Sequence, residues 1–369
     1  MSKTIIFVCD HLHGGGAERI NLELANEFIK NGYSVTMLLL DGEKIGMELP
    51  YGINLINLDI TFKKSVFRNI NNKISIDKRN FILSLEKKLN PTLVILSYAF
   101  GFLLVDCFKI TNKWLWIHSE IACFDVLKRA EKKNYIFYLN EYRRVYLERK
   151  GFKKIFNNRN IVTVNKNLVD FYKKYSNPKC VEFIPNGISE ARFLKLGHKN
   201  KEYDAIYVGR LSEEKQIDIA INAFLDSSFT GVMAIVGDGP LKNRLIQLVI
   251  SRKAENRVLF LGWKKNPEIY IKKSRMLLLT SKTEGFGLVV AESIILGVPV
   301  VAFNSSSGVE YQLSSGQLHR GLVELNNYDA LLNAINNVFT APYEITQEDK
   351  DRLLIKNCFN KFREITGLI

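Results

Sequence analysis

Covalent staples are nearly absent from this chain: of 369 residues only five are cysteine and five histidine. Cys9, Cys107, Cys123, Cys180 and Cys358 are odd in number and form no close pair. A disulfide framework or a zinc site is therefore not expected, and reduced thiols of a cytosolic protein are. The only D-x-D is Asp349-Lys350-Asp351, in a charged stretch, and His11 and His13 lack obvious partners, so no metal site is expected. Long apolar runs are also missing. Thr92–Phe108 is short for a membrane span and contains Ser97, Gly101 and Asp106, which fits a buried strand turning into a core helix. The opening MSKTIIFVCDH has too brief an apolar run for a signal peptide. No internal repeat, low-complexity tract or nucleic-acid-binding motif is visible.

What is present is a composition of 47% apolar and 24% charged residues, that of a soluble globular protein long enough for two domains. The net charge of +14 is unevenly placed. Residues 1–200 hold 32 Lys and Arg against 19 Asp and Glu, whereas 201–369 hold 20 against 19. Residues 1–50 are slightly acidic, so the excess lies in 51–200, and it suggests an anionic surface met by one domain only. Within that span Phe62–Lys88 and Lys128–Phe156 mix basic residues (Lys63, Lys64, Lys132 and Lys133 among them) with aromatics. Such stretches are either ordinary solvated helix faces or a surface resting on anionic lipid, and their concentration in one domain favours the membrane.

The organising stretch is Met276–Phe303. An apolar run to Thr280 reads as a buried strand, Glu284-Gly285-Phe286-Gly287 as a turn, Leu288 onward as a helix, and Val300–Phe303 as a second strand. A β-α-β unit of this kind puts its turn at the carboxyl edge of a parallel sheet, where open α/β folds bind ligands. Backbone N–H groups at the start of such a helix favour phosphate. Glu284 and Glu292 bracket that helix start, Glu292 about two turns in and among apolar neighbours where an idle carboxylate would be costly. A nucleotide sugar offers sugar, diphosphate and ribose in the matching order.

The same grammar recurs along the chain. Ile5–Val8, Gly14-Gly15-Gly16 and a helix through Ile20, Leu24 and Phe28 form one strand–loop–helix unit, in which Arg19 replaces the third glycine of a dinucleotide fingerprint. Trp114–Ile117 reads as a strand ending at His118. Ala205–Val208, Gly209, Arg210 and Lys215 form a strand and its basic exit, without the spacing of a Walker loop. Val258–Leu261 is a strand leading to Gly262-Trp263, and Asn326–Phe339 and Gln347–Ile365 have helical spacing.

These residues resemble a family. Glu284 and Glu292 stand in the E-x7-E spacing of retaining glycosyltransferases with the GT-B fold, and EGFGLVVAES with G-x-PVVA looks like glycosyltransferase family 4. GGGAERI resembles that family's glycine loop, YVGRLSEEK its G-R-L-x4-K element, and Pro185-Asn186-Gly187 its hinge turn. The resemblance implies two Rossmann-like α/β domains with parallel sheets facing across a cleft. The acceptor-binding domain would span 1–187, a hinge and linker 188–203 and the nucleotide-sugar domain 204–345, with a helix at 346–369 crossing back. It further implies that Glu284 reaches the donor sugar and Glu292 the ribose, that Arg210 and Lys215 hold the phosphates, and that His118 contacts the sugar. Gly15, Gly16, Gly209, Gly262, Trp263, Gly285, Phe286, Gly287 and Leu288 would complete the donor site, and no divalent ion or other cofactor is implied. The expected activity is transfer of a hexose or N-acetylhexosamine, UDP-linked, to a lipid-linked or lipopolysaccharide glycan at the cytoplasmic face of the membrane. The alternative is a GT-B-like sugar-nucleotide epimerase or hydrolase with no membrane acceptor.

Overall fold

The computed structural model describes residues 3–43, 45–62, 66–67, 74–124, 135–197 and 200–369. The chain forms two compact units, Met1–Pro185 with Cys358–Ile369, and Asn186–Asn357. Both are parallel sheets with helical crossovers.

In the first unit the strands are β1 (Thr4–Cys9), β2 (Ser34–Leu39), β3 (Ile53–Asn57), β4 (Leu93–Ser97), β5 (Lys113–Ile117), β6 (Asn160–Thr163) and β7 (Cys180–Phe183). Their order is β3-β2-β1-β4-β5-β6-β7, all parallel. Ile5 to Cys9 and Leu93 to Leu96 are fully buried, which is why these strands read as unbroken apolar runs rather than as alternation. The helices are α1 (Gly16–Lys30), α2 (Ile76–Leu89), α3 (Tyr135–Phe156) and α4 (Lys166–Tyr175). On α1, Ile20, Leu24 and Phe28 are all fully buried, as their helical spacing requires.

The second unit has β8 (Tyr203–Val208), β9 (Met233–Val236), β10 (Val258–Gly262), β11 (Ser274–Leu279), β12 (Val300–Phe303) and β13 (Leu322–Val323), in the order β10-β9-β8-β11-β12-β13. Its helices are α5 (Ile217–Asp226), α6 (Lys242–Ser251), α7 (Glu268–Lys272), α8 (Leu288–Ile295), α9 (Ser307–Leu313), α10 (Tyr328–Thr340) and α11 (Gln347–Asp351). A last helix, α12 (Ile355–Thr366), supplies the residues after Asn357 to the first unit. There Phe362 packs edge-on against Trp116, and Phe359 against Phe28.

The structure corrects four expectations. After β4 comes a 3-10 helix, Gly101–Cys107, instead of an α-helical core segment. Its entry is fixed by the Asp10 carboxylate, which accepts from the N–H groups of Phe100 and Gly101 at 3.1 and 2.7 Å. Gln347–Ile365 is broken between α11 and α12, where Arg352 donates to the carbonyls of Tyr311 and Gln312 and Leu354 bridges to Ile188. The stretch 188–203 lies within the second unit and carries two short 3-10 turns, Glu190–Arg192 and Leu194–Leu196. Finally α8 starts at Leu288, so Glu292 sits one turn into the helix, not two. Among the described residues no helix is long and apolar enough to cross a membrane.

Candidate active site

In an open parallel sheet the binding crevice lies beyond the carboxyl ends of the two strands where the winding reverses. In the second unit those strands are the neighbours β8 and β11, since β9 and β10 lie outside one and β12 and β13 outside the other. The turn after β8 carries Gly209, Arg210 and Lys215, and the turn after β11 carries Glu284 through Gly287. Topology thus brings together residues that are 69 apart in sequence: Lys215 Nζ donates to Glu284 Oε1 at 2.6 Å.

The two turns are also joined through their backbones. Lys282 N–H donates to the Glu214 carbonyl at 2.8 Å, and the buried Thr280 hydroxyl donates to the carbonyls of Lys215 and Gln216 at 3.2 and 2.8 Å. Ser281 adds a second hydrogen bond to Glu284 Oε1 at 2.7 Å. Both donors therefore load one carboxylate oxygen, and among the described residues Oε2 accepts none, although a carboxylate has acceptor capacity on each oxygen. Gly209 is required locally, because a Cβ there would lie 2.8 Å from the Tyr207 hydroxyl, which itself donates to the Arg210 carbonyl.

Arg210 is placed differently from its expected partner. Its side chain is 71% exposed and pairs with Glu214 at 2.8 Å. Glu214 also accepts from Ser212 at 2.6 Å; that hydrogen bond first, and then the arginine, hold its pKa down at about 2. Glu214 escaped sequence reasoning because a Glu among exposed charges carries no pattern.

The second carboxylate, Glu292, is 4% exposed, as the apolar neighbours of α8 predict. Arg192 donates to its Oε1 at 3.0 Å and lies 3.9 Å from Glu268. Arg192 comes from the stretch read as linker, and nothing in its local sequence points to a site. At the start of α8, Gly287 has φ +77 and no side chain caps the helix, while the Phe286 carbonyl is held by Gln312. Phe286 is buried and Leu288 half-buried. Gly262 takes φ +71 and its carbonyl accepts from Gly237 N–H at 2.9 Å; beside it Trp263 is 70% exposed.

Known proteins resemble this chain in part of its sequence and in its fold. The family model of group 1 glycosyl transferases matches residues 189–357. Over these residues the chain is similar to the group 1 glycosyl transferases, as the resemblance implied. An uncharacterized glycosyltransferase of Haemophilus influenzae is 24% identical over 96% of this chain and 95% of its own. The UDP-Gal:alpha-D-GlcNAc-diphosphoundecaprenol alpha-1,3-galactosyltransferase of Escherichia coli is 29% identical over 51% of this chain and 50% of its own. Against several further curated relatives the chain spans only 29% to 51% of their length. The solved structure of a glycosyltransferase from Rickettsia africae superimposes with a TM-score of 0.73 at 18% identity, covering 100% of this chain and 98% of that one. The fold is GT-B, two Rossmann-like domains.

The first unit has its own switch point, between β1 and β4. Gly15 is the N-cap of α1 and Gly16 its first residue. The loop before them is held by Glu18, whose Oε2 accepts from Gly14 N–H at 2.6 Å and whose Oε1 lies 3.2 Å from His11 Nδ1. His118 follows β5 and packs 4.4 Å from Trp116, ring to ring. Its edge reaches solvent, yet the ring is enclosed enough that burial lowers its pKa to about 3. Asn21 Nδ2 approaches Nε2 at 3.4 Å while Asn21 Oδ1 accepts from Ser97, so Nε2 is the acceptor and the imidazole proton is assigned to Nδ1. That Nδ1 is buried and has no partner among the described residues.

Proposed function

We propose that the protein is a retaining transferase that moves a hexose or N-acetylhexosamine from a UDP-linked donor to a lipid-linked or lipopolysaccharide glycan at the cytoplasmic membrane face. The observation that carries this is the Lys215–Glu284 pair at the β8/β11 switch point, with one carboxylate oxygen loaded and the other left for a hydroxyl. Glu284 would accept from the sugar and Glu292 from the ribose, with the N-terminus of α8 and Lys215 on the diphosphate. The exposed Arg210 would swing from Glu214 onto the phosphates, and the neutral His118 would donate from Nδ1 to a sugar oxygen. Gly15, Gly16, Gly209, Gly262, Trp263 and Gly285–Leu288 would frame the donor.

The reaction breaks the bond between the anomeric carbon and the diphosphate oxygen and forms one to the acceptor oxygen on the same face. The acceptor proton passes to the departing diphosphate, so no protein carboxylate is required as base. Charge growing on the leaving group is what the two cations would stabilise, in place of a divalent ion.

Two observations support a lipid-linked acceptor. The Escherichia coli relative carries a diphosphoundecaprenol acceptor in its name. On α3, Tyr142, Tyr146 and Leu147 are 63%, 64% and 49% exposed, and Arg143, Lys150, Lys153 and Lys154 are exposed with them. The acids of this segment, Glu141 and Glu148, are buried against Arg144. The exposed surface is thus basic and aromatic, as an anionic interface requires. Lys63, Lys64, Arg68, Lys73, Lys128, Arg129, Lys132 and Lys133 lie outside the described residues. A free sugar nucleotide needs no such surface, which disfavours an epimerase or hydrolase.

Proton NMR of the product tests the stereochemistry. An α-linked donor should give an α-linked glycoside, with UDP released in equal amount; a β product would overturn retention, and turnover with GDP-linked donors alone would overturn the UDP assignment.

A further inference from the structure

Parallel strands have two distinct edges, and the second unit holds a cavity of about 540 Å³ at the edge opposite the switch-point turns. It is built where β8, β11 and β12 begin: Lys201 precedes β8, Arg275 and Met276 open β11, and Pro299 precedes β12. Its size is that of a small-molecule site, ~300–1,000 Å³.

The walls are apolar. Met276, Pro299, Val338 and Tyr343 are buried, with Phe339 and Ile345 half-buried. The Tyr343 hydroxyl is consumed by both backbone groups of Val300, at 2.6 and 2.7 Å, so its ring faces other company. Around this box stand three cations, Lys201, Arg275 and Lys350, against one exposed carboxylate, Glu344. Lys201 is aimed by carbonyls, donating to Ser274 at 2.7 Å and Lys272 at 3.2 Å, and not by an acid. Burial, then the charges of Lys272 and Arg275, lower its pKa. Arg275 stacks 5.3 Å over Phe339 and pairs with Asp204, its Nε 3.4 Å from Oδ1. Lys350 pairs with no carboxylate among the described residues.

Cations that repel one another around an apolar box are relieved by an anion that carries an apolar body, and three donors from separate segments suit a dianion. We propose that this cavity binds a phosphate monoester with an apolar tail, either a soluble ester or a lipid phosphate. The site is separate from the nucleotide-binding edge and independent of the function proposed above.

Titration calorimetry on the full chain tests it, with octyl phosphate, inorganic phosphate and octanol as probes. One octyl phosphate should bind per chain, and the other two should bind at least about tenfold more weakly, because each lacks one half of the recognition. Arg275→Gln and Lys350→Gln, both at the mouth and checked for native circular dichroism, should each raise the Kd about tenfold. Competition by phosphatidic acid vesicles, but not by phosphatidylcholine vesicles, identifies a lipid source; failure of both to compete identifies a soluble ester. The proposal is overturned by absence of octyl phosphate binding, by unchanged affinity in both variants, or by stoichiometric displacement of octyl phosphate by UDP.

Discussion

At the scale of single residues, the site depends on carboxylates whose partners are unequal. Glu292 is buried and must be compensated, and Arg192 does so at 3.0 Å. Glu292→Gln should raise the Kd for nucleotide about tenfold, since hydrogen bonds to charged groups contribute ~1.5–3 kcal/mol; calorimetry with UDP reads this directly. Arg192→Leu should weaken nucleotide binding as well, by removing the guanidinium 3.0 Å from the buried Glu292 carboxylate, while Arg192→Lys recovers part of the loss. Lys215→Ala should lower kcat more than it weakens donor binding, because charge on the leaving diphosphate grows in the transition state. If only donor KM rises, Lys215 serves the ground state. His118, held neutral by burial, should show no imidazole protonation by NMR above about pH 5, its pKa being lowered to about 3. Its linkage has a definite sign: with the folded pKa below the unfolded one, this group lowers stability as pH falls from about 6.5 towards 3.

Elements explain which of these residues could be foreseen. Periodicity located β8, β11, β12 and α1 from unbroken apolar runs and helical spacing, and with them the turns that hold Arg210, Lys215 and Glu284. What escaped is set by contacts between distant segments. Arg192 lies in a stretch that reads as linker, and Glu214 among ordinary surface charges. The 3-10 helix at Gly101–Cys107 depends on Asp10, 91 residues before Gly101. Gly187 belongs to this class too. A Cβ there would lie 2.5 Å from Ile355 Cα and 2.7 Å from the Leu354 carbonyl, beside the bridge between Ile188 and Leu354. Gly187→Ala should therefore lower stability by ~1–3 kcal/mol, seen as a lower thermal midpoint, the cost typical of overpacking. On α3, replacing Arg143, Tyr146 and Lys150 together should abolish binding to anionic vesicles at low salt while leaving UDP affinity unchanged. Sedimentation of the triple variant equal to that of wild type would remove this face from the membrane.

For the molecule as a whole, two successive parallel sheets were legible because the central strands, such as β1, β4, β11 and β12, are buried almost throughout and most crossovers are helical. The boundary between units was less so. The chain leaves the first unit at Pro185 and re-enters it at Cys358, within a helix whose apolar spacing is the same on both sides of that point. Charge is partitioned as well, with the excess in the first 200 residues, and this gives the molecule one basic half. The central claim, that this basic half and the Lys215–Glu284 edge belong to one sugar transfer onto a lipid-linked acceptor, is tested most directly by label transfer. The protein is incubated with sugar-labelled UDP donors and a bacterial lipid extract, and organic-soluble label is counted against released UDP. The account predicts equal amounts of glycolipid and UDP with wild type, and at least about a hundredfold less of both with Lys215→Ala. Release of UDP or free sugar at the same rate without the extract, or epimerised donor as the sole product, would contradict it.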